Sequence, residues 1–290
     1  MSEADKKLAG ELGRSSGLKF EDQIKKHYTG RKPKNMPNYW GEKKAVSKTD
    51  VICKNKRLSV KNPAKMSSSV QIQICSLENF ARRLGMPKEV KKAFEMWLGA
   101  HDNLLSKETF RSQDTFKEVY KDWGPGISCD ADEAMCDHEF VDCGPQETQT
   151  IPFSYLCPCC ELNRARLLFS RVPNNHLMLS FIKDNMKEIL KIILSTGFNH
   201  PSNKDTIAKY MAWATEKNSL DSIVLLKISQ IIKHHKNWEV KVRQAESVIE
   251  FGPFTLQMKG SGSGAAYHYM QFNTSYNDII KFTGLKGGKL

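Results

Sequence analysis

Residues 48–75 read KTDVICKNKRLSVKNPAKMSSSVQIQIC, and this stretch decides how the first part of the chain folds. Two runs of alternating and β-branched residues, 49–53 and 57–61, flank the polar turn 54–56. Alternation on both sides of a short polar connection is typical of a β-hairpin. We therefore predict two antiparallel strands joined by a tight turn.

The second run of this hairpin divides its side chains between two faces. Leu58 and Val60 share one face and Ser59 and Lys61 share the other, because successive side chains of a strand point in opposite directions. Pairing the two runs brings Asp50 near Lys61. A metal-dependent phosphodiesterase needs such a pair, since the carboxylate holds a hard cation and the amine steadies the attacking water and the developing charge.

A third strand is predicted at residues 70–75, where polar and β-branched residues alternate. This pattern places Gln71 and Gln73 together on the face opposite the β-branched residues. That polar face either continues the candidate site or is merely exposed to solvent.

A helix is predicted over about residues 17–28. Phe20, Ile24 and Tyr28 recur at four-residue spacing and mark the stripe that the helix buries. Glu21 lies at the edge of that stripe. Its carboxylate is either aimed into a cleft or, as is usual for a boundary residue of an amphipathic helix, solvated.

The order of Glu21, Asp50 and Ser59-Val60-Lys61 resembles the core of the PD-(D/E)XK nuclease superfamily, which includes most type II restriction endonucleases. That family places a Glu on a first helix, an Asp at the start of one strand and (Asp/Glu)-x-Lys on the next strand. The chain departs from the pattern at Ser59, where the family usually has a carboxylate. Some relatives look similar, with Ser-x-Lys followed by a strand that carries Gln, as Gln73 does here.

This resemblance implies an α/β fold in which a mixed β-sheet is flanked by helices, as in the core of restriction endonucleases. It also implies Mg²⁺ held by Glu21 and Asp50, by a main-chain carbonyl of the second strand and by water. Lys61 would orient the attacking water, and Ser59 and Gln73 would complete the catalytic set. The expected reaction is hydrolysis of double-stranded DNA by a type II restriction endonuclease, and a symmetric recognition site calls for a homodimer.

The charge of the chain points to a polyanionic partner. The 290 residues include 44 Lys and Arg against 32 Asp and Glu, which gives a net charge of +12. Neutralising phosphates releases condensed counterions, so this excess favours nucleic acid, although a solvated basic surface explains the charge alone equally well. No apolar run reaches the length of a membrane span, and the first residues lack the apolar core of a signal peptide. We expect a cytoplasmic protein, bacterial or phage-encoded, with no membrane association.

Two basic segments are candidates for DNA contact. The first is the loop at residues 29–46, where Lys32 and Lys34 precede Tyr39 and Trp40. Long cations and flat rings both suit a phosphate backbone. The alternative is a surface loop anchored by one tryptophan.

The second segment is a predicted C-terminal hairpin, in which Lys259 precedes a glycine-rich turn with Ser261 and Ser263. Backbone amides of such a turn can approach a phosphate closely. Gln257-x-Lys259 also looks similar to a nuclease motif, but the strand before it offers no clear Asp. We predict DNA contact here, with a rival active site or an ordinary surface hairpin as the alternatives.

Six of the eight cysteines lie between positions 129 and 160. Thiolates gathered in a reducing compartment are the usual ligands of structural zinc. The ligands that we consider for such an ion are Cys129, Cys136, Cys143, Cys157 and Cys160. The alternative is a loop with free thiols. A redox Cys-x-x-Cys is disfavoured because no βαβ pattern surrounds it.

These patterns divide the chain into three parts: a nuclease core at 1–125, a cysteine-rich insert at 126–165, and a helical and β part at 166–290 that contacts DNA. Strands are predicted from residue 239 onward. Helices are predicted at residues 76–84, 87–98, 116–123, 176–194, 207–213 and 220–232, the last with a strand at 222–226 as the alternative.

Two other functions remain open from the sequence. One is a different nuclease on the same core, which would serve phage DNA degradation, repair or transposition. The other is a zinc-containing DNA-binding protein without activity, in which Ser59 marks a decayed site.

Overall fold

Two five-stranded β-sheets and the helices packed on them make up the part of the chain that the computed structural model describes, which is residues 17–33, 48–98, 169–172, 174–197, 204–244, 248–258 and 269–290. The mixed α/β architecture agrees with the predicted fold class. The predicted helix at 116–123 and the cysteine-rich range 126–165 lie outside the described residues.

The elements are numbered in chain order within these ranges. The helices are α1 (residues 17–27), α2 (Leu77–Leu84), α3 (Lys88–Trp97), α4 (Asn175–Lys191), α5 (Ile228–Lys233) and α6 (Tyr276–Thr283). The strands are β1 (Val51–Cys53), β2 (Lys56–Lys61), β3 (Val70–Ser76), β4 (Tyr210–Ala214), β5 (Ile223–Lys227), β6 (Val240–Val242), β7 (Val248–Phe251), β8 (Phe254–Met258), β9 (Tyr269–Thr274) and β10 (Gly288–Lys289). None of the helices in the described ranges is long and apolar enough to cross a membrane.

The predicted hairpin is present as β1 and β2. Val51 pairs with Leu58 and Cys53 pairs with Lys56, so the connection is the two-residue turn Lys54-Asn55. Both turn residues have positive φ, at 45° and 59°. Positive φ at both central residues is the requirement of a type I′ turn, whose twist matches that of the paired strands.

The first sheet has the strand order β1-β2-β4-β5-β10. Strands β2 and β4 are parallel, with Ser59 beside Met211 and Lys61 beside Trp213. Every other pair in this sheet is antiparallel. Strand β2, which carries the predicted catalytic lysine, is therefore interior to the sheet. Its neighbour β4 lies about 150 positions downstream in the chain.

The prediction of a helix at residues 207–213 is wrong, since β4 occupies most of that stretch. A short apolar run with both faces covered has no periodicity that separates a strand from a buried helix. Three of its residues, Met211, Ala212 and Trp213, are all at most 1% exposed. At residues 220–232 the strand alternative holds: β5 comes first, and only the short helix α5 follows.

The two faces of the first sheet belong to different cores. Phe20 and Ile24 of α1 pack with Leu58 and Ala212 on one face, as the predicted stripe of α1 requires. Trp213, on the opposite face, joins the larger core formed by the second sheet and helices α2 to α4. Because Ser59 and Lys61 lie on the same face of the first sheet as Trp213, their side chains face the second sheet.

The second sheet is antiparallel throughout, with the order β3-β9-β8-β7-β6. A bulge interrupts β3: Gln71 pairs with Asn273 and Gln73 pairs with Phe272, which leaves Ile72 as an extra residue. Neighbouring residues of β9 face opposite sides of the sheet. The prediction that Gln71 and Gln73 share a face is therefore wrong, because the bulge turns Gln73 toward the buried side occupied by Phe272.

The strands of both sheets join distant parts of the chain. β2 pairs with β4, and β3 pairs with β9, so residues before position 100 and after position 200 share each sheet. The predicted helix after Ser76 forms where its capping signal places it. Ser76 accepts a hydrogen bond from the Asn79 backbone amide at the start of α2, which is the expected role of an N-cap serine.

Gly252 offers a test of the second sheet. It lies between β7 and β8 with φ of 60°, and a Cβ atom added there would overlap the indole of Trp238, whose Cγ would be only 2.6 Å away. Gly284, the C-cap of α6, has a similar φ of 64° but open space around its Cα. Left-handed backbone costs an alanine about 1–2 kcal/mol, and overpacking adds about 1–3 kcal/mol.

We expect Gly252→Ala to lower the free energy of unfolding by both amounts and Gly284→Ala by the first alone. Urea denaturation followed by circular dichroism measures the two losses. Equal losses would mean that the Trp238 ring moves aside without cost.

Candidate active site

Three of the predicted catalytic residues lie close enough to interact electrostatically. Glu21 lies on α1, Asp50 directly precedes β1, and Lys61 ends β2. Burial raises the pKa of Glu21, and the negative charge of Asp50 raises it further, while the hydrogen bond and charge of Lys32 and the charge of Lys61 lower it. The fold therefore brings two carboxylates and an ammonium group together from three elements.

Asp50 is fixed against the backbone of β2. Its Oδ2 accepts a hydrogen bond from the Val60 amide at 2.7 Å, and its own amide donates to the Leu58 carbonyl at 2.7 Å. One carboxylate oxygen is thus committed to the fold. Among the described residues, the other oxygen, Oδ1, has no hydrogen-bond partner.

Lys61 is held by its own strand. Its Nζ donates to Ser59 Oγ at 2.9 Å and to the Val60 carbonyl at 3.0 Å. Ser59 is only 2% exposed. At the position where the similar family has a carboxylate, this chain therefore uses a buried hydroxyl that orients the lysine.

Lys32, predicted as a DNA contact, lies beside Glu21. An isolated β-bridge between Arg31 and Ile52 carries the chain after α1 back along β1. Lys32 Nζ then lies 2.6 Å from Glu21 Oε2 and 3.9 Å from Asp22 Oδ1, with its side chain 39% exposed. The Lys32 side chain is thus partly exposed, whereas that of Glu21 is only 18% exposed.

Lys48 is a member of the site that the sequence analysis did not single out. Its Nζ donates to the Ile72 carbonyl and, at 3.2 Å, to Gln73 Oε1. Burial lowers the pKa of Lys48 to about 7, and the charge of Lys61 lowers it as well, whereas Asp50 opposes the shift. The sequence signal for this residue is weak, since only its position two residues before Asp50 connects it with the motif.

Gln73 links the second sheet to the site. Its Nε2 donates to the Ile74 carbonyl at 2.8 Å, and its Oε1 accepts from Lys48. Both ends of the amide are therefore fixed. The β3 bulge makes this possible because it directs Gln73 to the side of the sheet that faces β2.

When Lys48 is protonated, below a pH of about 7, the site carries three positive and two negative formal charges. The ammonium groups are those of Lys32, Lys48 and Lys61, and the carboxylates are Glu21 and Asp50. Like charges in a partly buried space repel more strongly than in water. The excess of positive charge therefore favours an anion beside the lysines.

The donors near these carboxylates suit a hard divalent cation. Within the described ranges, no group of three or more His, Cys, Asp and Glu side chains comes together. Glu21, Asp50 and the Val60 carbonyl nevertheless provide only oxygen atoms, and Mg²⁺ is usually bound by one or two carboxylates with water and substrate phosphate completing its shell. The residues therefore fit a magnesium site that depends on substrate and water.

The remaining predicted site residues lie outside the described part of the chain. These are the candidate zinc ligands Cys129, Cys136, Cys143, Cys157 and Cys160 and the candidate DNA contacts Lys34, Lys259, Ser261 and Ser263. The two cysteines that the structure does describe, Cys53 and Cys75, are buried free thiols. Burial raises the pKa of both, which makes them structural rather than reactive.

Neither a scan against models of known protein families nor a search of curated proteins finds a match for this chain. No relative therefore assigns a role to any residue of the site. The motif residues and their geometry carry the functional argument alone.

Proposed function

We propose that the protein is a Mg²⁺-dependent endonuclease that hydrolyses phosphodiester bonds of double-stranded DNA on a restriction-endonuclease-like core. The observation that carries this proposal is the convergence of Glu21, Asp50 and Lys61 from three separate elements. An accidental motif match in the sequence does not require its residues to meet. The remaining members of the predicted set are next to these residues. Ser59 is hydrogen-bonded to Lys61, and Gln73 is hydrogen-bonded to Lys48.

Glu21, Asp50 and the Val60 carbonyl would hold the metal ion. When bound, Mg²⁺ supplies positive charge to the phosphate and lowers the pKa of a coordinated water. Asp50 keeps its position through the hydrogen bond from the Val60 amide, so its free oxygen is preorganised. Glu21 exchanges its contact with Lys32 for the cation.

Lys61 acts on the reacting atoms. Ser59 Oγ and the Val60 carbonyl fix its ammonium group by two hydrogen bonds, which leaves the third N–H for water or a phosphate oxygen. A fixed positive charge at that point orients the attacking water and stabilises the negative charge that develops on the phosphate. Ser59 is a positioning residue, because it acts through Lys61.

The charge of the whole chain and the motif resemblance together support double-stranded DNA as the substrate. A net charge of +12 attracts a polyanion over a long range, and the duplex is the substrate of the similar nucleases. We propose a type II restriction enzyme that works as a homodimer, with a structural zinc ion in the cysteine-rich insert. Lys34, Lys259, Ser261 and Ser263 are proposed to contact the DNA backbone.

A second candidate function is DNA binding without catalysis. Ser59 supports it, because the position carries no carboxylate and the two acidic residues alone make a weak metal site. Incubation of the purified protein with plasmid DNA and Mg²⁺ separates the candidates. Discrete fragments are expected for a restriction enzyme, a smear or nicking indicates another nuclease, and DNA that stays intact with bound protein indicates a binder.

We also expect DNA affinity to fall steeply with salt. Each neutralised phosphate contributes a slope of about −0.9 to the plot of log K against log salt concentration for duplex DNA. Fluorescence anisotropy of a labelled duplex, titrated in EDTA at several KCl concentrations, measures this slope. A flat plot would contradict the polyanion interpretation of the charge.

A further inference from the structure

The ammonium group of Lys48 is anchored by the second sheet, opposite the strand that carries Lys61. Ile72 is the extra residue of the β3 bulge, and its carbonyl accepts from Lys48 Nζ. Gln73 Oε1 is the second acceptor. At the other end, the Lys48 amide donates to the Thr206 carbonyl at 3.1 Å. The backbone and the side chain of Lys48 are thus both held by hydrogen bonds, unlike those of a typical surface lysine.

Among the described residues, the Lys48 ammonium group has two hydrogen-bond acceptors, so one of its donors has no acceptor there. An ammonium group has three N–H donors and no acceptor. Ile72 and Gln73 take two, and both of these acceptors are uncharged. The nearby charged groups are Asp50, which attracts Lys48, and Lys61, which repels it. Within the described ranges, no carboxylate is hydrogen-bonded to Lys48.

The ammonium group of Lys61 also donates to uncharged acceptors, which are Ser59 Oγ and the Val60 carbonyl. Two ammonium groups with neutral partners therefore lie within electrostatic range of each other, at the junction of the two sheets. An oxyanion with several oxygen atoms on one centre satisfies both. Carboxylate, sulfate and phosphodiester groups share that chemistry, and the proposed substrate supplies the last.

We propose that Lys48 is a second phosphate-binding lysine, which donates its remaining N–H to a non-bridging oxygen of the phosphodiester that Lys61 helps to cleave. This inference rests on the proposed function. It gives the two lysines different roles. Lys48 binds the phosphate before the reaction, and Lys61 stabilises the negative charge that develops during it. Gln73 is then a positioning residue, which orients Lys48.

Replacement of Lys48 should accordingly weaken binding of DNA. We expect Lys48→Met to raise the Kd for a short fluorescein-labelled duplex in EDTA by roughly 10- to 100-fold, the usual effect of losing one hydrogen bond to a charged group. The slope of log K against log salt concentration should decrease by about one, because one phosphate contact is gone. A purely structural role for Lys48 would change neither the number of neutralised phosphates nor this slope.

Three further variants make the test decisive. Lys48→Gln is also neutral, but its side-chain amide can still donate to the Ile72 carbonyl. It should therefore keep the fold even if Lys48→Met loses it. Its salt slope should decrease by the same amount, about one. Lys48→Arg keeps the charge and should restore the slope. Lys92→Met, at an exposed position of α3, removes one positive charge elsewhere and should leave the slope unchanged.

The outcomes separate the inference from the function on which it rests. A wild-type protein that cleaves plasmid DNA, together with a reduced slope in both neutral variants only, supports the role of Lys48. Cleavage by the wild type with equal slopes in Lys48→Gln and Lys92→Met overturns the role of Lys48 and leaves the nuclease standing. A wild-type protein that neither binds nor cleaves DNA overturns the proposed function and this inference together.

Discussion

Lys61→Ala is expected to lower the single-turnover rate of DNA cleavage by about 100- to 1000-fold or more, with little change in affinity. Loss of a preorganised group that stabilises developing charge has this size of effect. Ser59 and the Val60 carbonyl hold the Lys61 ammonium group in place before any substrate arrives. Its removal therefore affects the transition state more than the bound ground state.

The measurement is cleavage at saturating enzyme, which isolates the chemical step from binding. Lys65→Ala is the matched control, because Lys65 is an exposed residue four positions further along the chain. Lys259→Ala is the informative contrast, since its predicted phosphate contact should mainly weaken binding. If Lys259→Ala loses the rate and Lys61→Ala loses only affinity, the active site belongs to the C-terminal hairpin.

Asp50→Asn is expected to abolish Mg²⁺-dependent cleavage while DNA binding is retained or strengthened. The amide removes a negative charge that holds the cation and that repels the phosphate. Its oxygen can still accept the hydrogen bond that Asp50 Oδ2 receives from the Val60 amide at 2.7 Å. The fold should therefore survive the change, which makes the loss of cleavage a statement about chemistry.

Plasmid cleavage, anisotropy in EDTA and thermal unfolding together test this expectation. Asp22→Asn provides the control: Asp22 lies on α1 beside Glu21, with a side chain that is 52% exposed and that pairs, among the described residues, with Lys25 and, more distantly, Lys32. It should retain activity. Cleavage by Asp50→Asn at near the wild-type rate would remove Asp50 from the site.

Local signals in the sequence were sufficient for several elements. The β1–β2 hairpin follows from alternation on both sides of Lys54-Asn55, and α1 follows from the spacing of Phe20 and Ile24. The cap at Ser76 marks the start of α2. These features depend on interactions between residues that are close in sequence, so composition and spacing contain the necessary information.

The membership of the candidate site was predicted only in part. Glu21, Asp50 and Lys61 came from the motif, and the structure places them within electrostatic range of one another. Lys48 was missed, because its importance depends on the carbonyl of Ile72 and the amide of Gln73. Both contacts join the segment before β1 to β3, and no pattern in residues 48–75 reveals them.

The sequence by itself determined the local elements and the order of the catalytic residues along them. Only the tertiary structure decided that residues 210–214 are a strand and that Gln73 faces the site rather than the opposite side. The first outcome depends on parallel pairing with β2, about 150 positions away, and the second on the bulge opposite Phe272. Pairing of this kind is selected by burial and hydrogen bonds between distant strands, which local propensity does not encode.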